Sequence, residues 1–117
     1  MSHILLIFER PGERAQRSEA QGRELYERML RFSDELQEEG VLVLSQSLKS
    51  EAVSARVSRA DGCERLRDGP FAEAKEIVGG FFLLTGTTPA SALAIARRCP
   101  AAEWAVVEVR ELGPCFT

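Results

Sequence analysis

Histidine is almost missing from this sequence: His3 is the only one in 117 residues. A Ser-His-Asp relay would have to use that single imidazole as its base, alone at the start of a strand, which argues against nucleophilic hydrolysis. Cysteine is scarce too. Cys63, Cys99 and Cys115 form no Cys-x-x-Cys pair and no Cys/His cluster, so no structural zinc site and no metal is expected. An odd number of cysteines with no signal peptide fits a reducing compartment, and the cytoplasm is the expected location. Long apolar runs are absent. The opening run Ile4–Phe8 stops at Glu9 and is too short for a secretory or membrane segment. A surplus of one charge is absent as well: 15 basic residues face 18 acidic ones, a net charge of −3, spread evenly along the chain. That excludes the basic face that nucleic-acid binding needs and a polybasic membrane segment. Repeats, linkers and low-complexity stretches are missing, so residues 1–117 are expected to form one domain.

What is present is a globular composition, 44% hydrophobic and 28% charged. Ile4–Phe8 is apolar on both faces and reads as a central strand. Ser18-Glu19-Ala20-Gln21 has the form of a capping box, and Leu25, Met29, Phe32 and Leu36 make one stripe of a long helix. Gly40 suits the left-handed position that closes it. Strands are expected at Val41–Leu44, at Val53–Val57 as an edge, and at Cys63–Arg67 after an Asp61-Gly62 hairpin turn. Ile77–Thr85 reads as a second central strand. Thr88-Pro89 opens a short helix that Cys99-Pro100 ends, and Trp104–Leu112 is the last strand.

This order is an α+β, ferredoxin-like β-α-β-β-α-β plan with an inserted hairpin, an antiparallel sheet carrying helices on one face. The other face has no element left to cover it. In the last strand Ala105, Val107 and Val109 would meet the helices, while Trp104, Val106, Glu108, Arg110 and Leu112 would form the mixed opposite face. A second copy is expected there, making a homodimer.

The stretch richest in chemistry is Asp68-Gly69-Pro70-Phe71-Ala72-Glu73-Ala74-Lys75-Glu76, followed by Gly79-Gly80. Pro70 fixes the turn, Asp68 can accept hydrogen bonds from the next amides, and Phe71 can anchor it. Glu73, Lys75 and Glu76 would then be presented on a rigid loop, able to hold a polar ligand or move a proton. Lys75 stands out because only it and Lys49 are lysines. The competing reading is a structural turn with solvated charges. Glu108 is the best contributor from elsewhere, either to a ligand or to an ion pair with Arg110 at the dimer rim. Cys99, at a helix end where the dipole disfavours a thiolate, reads as a small buried residue. The Leu25–Leu36 stripe reads as core, and Gly79-Gly80 as a bulge or close approach, not a phosphate loop. No cofactor is expected.

The run Asp68–Phe81 resembles the namesake motif of the DGPF family, a branch of the YCII-related proteins. The likeness extends to the opening strand, the long helix ending at Gly40, Arg97-Arg98-Cys99-Pro100-Ala101 and Val107-Glu108-Val109-Arg110. Ala74 departs from it, since the family usually has threonine there. The resemblance implies a dimeric α+β barrel built from two packed sheets. It also implies a bacterial family without a common activity, often encoded beside extracytoplasmic-function sigma factors. Some YCII-related relatives are enzymes that use a histidine on the first helix with an aspartate. Here those positions read Met29 and Cys99, the latter before Pro100, so neither half of the dyad transfers. The sequence leaves open whether the chain is an enzyme. Two functions are expected to compete. One is a small-molecule enzyme or binding protein with a cleft near Asp68–Glu76, lined by Asp68, Phe71, Glu73, Lys75 and Glu76. The other is a non-catalytic regulatory module acting through a protein partner linked to a sigma factor.

Overall fold

The computed structural model describes residues 1–116. Its first strand, β1 (Ser2–Glu9), leads through a short 3-10 turn (Arg14–Gln16) into helix α1 (Glu19–Glu38). The α1 start follows from its sequence: the Ser18 side chain accepts from the Gln21 amide at 3.1 Å, and the Gln21 side chain accepts from the Ser18 amide at 2.9 Å. Its end is a Schellman turn. Gly40 has φ +76°, its amide donates to Gln37, and the Val41 amide donates to Leu36.

Strand β2 (Leu42–Ser47) follows directly. Next come β3 (Ala55–Ala60) and β4 (Cys63–Asp68), joined by Asp61 and Gly62, both at positive φ. After β5 (Ile77–Thr85), Thr88 caps helix α2 (Pro89–Arg98) reciprocally with Ser91. A 3-10 turn (Pro100–Glu103) leads to β6 (Val106–Glu111). Several boundaries differ from expectation: β2 starts one residue later and runs three further than Val41–Leu44, and β4 and β6 end at Asp68 and Glu111. Val53 lies in a 3-10 turn, Glu51–Val53, and not in a strand. Trp104 precedes β6, because the turn after Pro100 carries the chain through Glu103 before it can extend.

The main sheet is antiparallel in the order β2-β5-β1-β6, the ferredoxin-like order, and β3-β4 forms a separate two-stranded sheet. The inserted hairpin therefore stands outside the main sheet. Both helices lie on one face of it, where Leu5, Ile7, Phe82 and Leu84 meet Phe32 and Leu36 of α1 and Ile95 and Ala96 of α2. Phe32 and Phe82 pack edge to face, with ring centroids 5.3 Å apart. Ala105, Val107 and Val109 join this core as expected, but so does Trp104, which belongs to the helix side and not to the opposite face.

Register defines the other face. Ile4 pairs with Leu83 and Arg110, Leu6 with Phe81 and Glu108, and Phe8 with Val78 and Val106. These side chains shield one another and nothing more, so Val78 and Val106 are exposed. The molecule measures 45 × 42 × 19 Å, and the short axis has room for one helix layer and one sheet layer only.

Candidate functional site

Small residues on two facing elements leave a hollow between α1 and the sheet. On α1, Gly22 and Ser33 occupy the inward stripe; on the sheet, Ser45, Ser47, Gly79 and Gly80 face them. The result is a cleft of about 700 Å³, within the size range of small-molecule sites. Met29, Phe82 and Trp104 supply apolar wall, and the Ser33 and Ser45 hydroxyls bond across it at 2.7 Å. The inward stripe of α1 is thus split. Phe32 and Leu36 are core and Met29 packs against it, whereas Leu25, expected to be core, is a half-buried wall of the cleft, which Met29 also lines.

Beside the glycines sits an ion pair between a buried carboxylate and a half-buried guanidinium. Glu9 is 8% exposed, and its Oε1 lies 2.8 Å from Nε of Arg14. A Cβ on Gly79 would come within 2.7–2.9 Å of the Glu9 carboxylate, so only glycine leaves room for it there. The β1–β5 register slips between Ile7 and Phe8, opposite this point. Gly79-Gly80 is therefore both the bulge and the close approach expected from sequence. Arg14 donates further to the carbonyls of Leu48 at 2.6 Å and Gly79 at 3.1 Å, so its guanidinium is occupied on three sides. Arg23, also at the cleft, pairs with Glu19 at 2.8 Å. Arg17 lines the cleft too, and its guanidinium has no hydrogen bond or ion pair among the described residues.

A protein-family comparison matches residues 1–115 to the YCII-related domain. The chain belongs to the YCII-related family. No curated protein matches it.

Within this YCII-related protein, Met29 stands in the cleft wall where the resemblance puts a histidine, and it supplies no proton-transfer group. Cys99 is buried in the core, and burial pushes its thiol up to about 11. His3 is buried at the far end of β1 from Glu9, its Nδ1 2.7 Å from the Thr87 hydroxyl. Among the described residues, no group of three or more His, Cys, Asp or Glu could hold a metal ion. No helix among them is long and apolar enough to cross a membrane.

The Asp68–Glu76 turn lies outside the large cleft. Phe71 is buried, with the Arg56 guanidinium 4.0 Å and that of Arg67 5.6 Å from its ring centre. The Gly69–Pro70 peptide is cis, and a Cβ on Gly69 would fall 1.8 Å from the Glu51 carbonyl oxygen. Gly69 thus lets the chain press against the Glu51–Val53 turn, fastening the hairpin to the sheet. Asp68, Glu73, Lys75 and Glu76 are exposed. Glu73 pairs with Arg67, whose guanidinium holds its carboxyl below the usual range. Of the six sequence-predicted residues only Phe71 lines a hollow, a second one of about 440 Å³ shared with Lys49 and Arg56. Glu108 lies on the uncovered sheet face, 4.0 Å from Arg110.

Sequence reasoning missed Glu9, Arg14 and Arg17. One signal was present: Gly22 falls on the inward stripe of a long helix, where packing asks for a side chain and propensity disfavours glycine.

Proposed function

We propose that this protein is a DGPF-type YCII-related homodimer in which each protomer binds a small polar or anionic molecule between α1 and the sheet. The carrying observation is the cleft of about 700 Å³ with the buried Glu9 carboxylate, paired to half-buried Arg14, beside it. Burying a carboxylate costs desolvation that a purely structural wall would not need. The reading moves the site from the Asp68–Glu76 loop to the opposite side of Gly79, because the turn's own carboxylates and Lys75 are exposed.

The homodimer rests on the uncovered face, where Ile4, Leu6, Phe81 and Leu83 are only partly buried by one another. That surface is self-complementary at its margin. Glu108 and Arg110 on β6 would meet the opposite charges of a second copy turned about a two-fold axis.

A thermal-shift screen of common metabolites on wild type, Gly22→Trp and Lys75→Ala tests the cleft. A Cβ at Gly22 meets nothing within 4 Å, so tryptophan can extend into the hollow. The expected result is a ligand that raises the melting temperature of wild type and Lys75→Ala but not of Gly22→Trp. A ligand lost only in Lys75→Ala would return the site to the turn. Null profiles throughout would refute the binding reading.

A further inference from the structure

Two polar groups along the cleft are left with unused capacity, and they are of opposite kind. Glu9 is more than nine-tenths buried, and its Oε1 makes the 2.8 Å contact with Arg14. No hydrogen bond reaches its Oε2 from the described residues, and among them no sealed side-chain oxygen lacks a partner, so Oε2 keeps some access to solvent. Glu9 lines the cleft. A carboxylate oxygen held in place by a fixed guanidinium accepts hydrogen bonds and donates none. Arg14 directs three of its five donors at Glu9, Leu48 and Gly79, which leaves Arg17 the freer of the two guanidinium groups. The second group is Arg17, half-buried on the same cleft and without a partner, a fork suited to a carboxylate. The same cleft has apolar wall from Met29, Phe82 and Trp104.

We infer that the ligand is a small hydroxy acid with an apolar body. Its hydroxyl donates to Oε2 of Glu9, its carboxylate is held by Arg17, and its body lies against Met29, Phe82 and Trp104. The assignment rests on the cleft reading above and deepens it. It also gives Gly79 a role: by lacking a side chain it lets the Glu9 carboxylate lie where a ligand can reach it.

Trp104 is the only tryptophan of the chain and lines the cleft, so its fluorescence reports occupancy. Three probes are titrated into the wild-type protein and checked by calorimetry: 4-hydroxyphenylacetate, phenylacetate without the hydroxyl, and 2-(4-hydroxyphenyl)ethanol without the carboxylate. The first should bind about tenfold more tightly than either of the others, the effect of one hydrogen bond or ion pair to a charged group. Arg17→Gln should abolish the advantage over the alcohol while leaving the advantage over phenylacetate. Glu9→Gln, where it folds, should weaken 4-hydroxyphenylacetate more than phenylacetate. Equal binding of all three probes overturns the hydroxy-acid assignment and leaves the cleft standing as an apolar site. An unchanged preference in Arg17→Gln overturns the role of Arg17. No response from Trp104 and no heat with any probe overturns this assignment, while the cleft reading falls only if the metabolite screen is null as well.

Discussion

At the scale of single residues, chemistry is decided by what each group is packed against. Cys63 and Cys115 are exposed, whereas Cys99 is buried with its thiol pushed up to about 11 by desolvation. Native protein treated with iodoacetamide at pH 8 should therefore label at Cys63 and Cys115, and at Cys99 only after unfolding, as read by mass spectrometry. Fast native labelling of Cys99 would contradict its place in the core. Glycine carries as much information here as any charged group. Gly69 and Gly79 are held by close approaches: a side chain at Gly69 would collide with the Glu51 backbone carbonyl, and one at Gly79 would push the Glu9 carboxylate out of its place. The Asp68–Phe71 motif was visible in the sequence as a rigid turn, and Gly69 and Phe71 are the parts of it that the fold uses. Its polar residues stayed ambiguous because a solvated charge and a ligand-binding charge look alike until their surroundings are known.

At the scale of elements, α1 does two jobs along one stripe. Its second half packs Phe32 and Leu36 into the core, and its first half roofs the cleft with Gly22, Leu25 and Met29. Gly22→Ala should stabilise the fold by about 0.5–1 kcal/mol in urea unfolding, since alanine suits a helix interior better and its Cβ meets nothing. A loss of stability would mean that the hollow is narrower than described. The two helices are tied at their C-terminal ends, where Arg98 donates to both oxygens of Glu39 at 3.0 and 2.6 Å. That guanidinium lowers the Glu39 carboxyl below its ordinary value of 4.5. A lowered folded value means the pair stabilises above the ordinary value, and its contribution disappears as pH falls through the lowered one. Both side chains are largely in solvent, so the effect is modest and weakened by salt. Wild type should exceed Glu39→Gln in denaturation midpoint at pH 7, and the two should converge as pH falls below the ordinary carboxylate range.

At the scale of the whole molecule, two layers are present where a stable sheet wants three. The β1, β5 and β6 side chains on the uncovered face would be desolvated by a second sheet about 10 Å away. Wild type is expected to be a dimer at micromolar concentration by light scattering, and Leu83→Arg, which places a charge at the centre of that face, to be a monomer. A wild-type monomer would overturn the homodimer. The exposed β3–β4 hairpin belongs to this scale too, because a two-stranded sheet is marginal alone and here it is fastened at its base, through Gly69, Phe71 and the Arg67–Glu73 pair.

The sequence by itself determined the elements and their order. Capping boxes, a left-handed glycine, a hairpin turn and apolar periods are local signals, and local physics reads them without the rest of the chain. It also determined that one sheet face lacks a cover, since counting elements is enough to find a missing layer. Only the tertiary structure decided where a ligand could go. Ser45 and Gly79 lie far along the chain from Glu9, Arg17 and Gly22. They form a cleft because antiparallel pairing and the crossing of α1 bring small residues face to face, a coincidence in space that no period or spacing encodes.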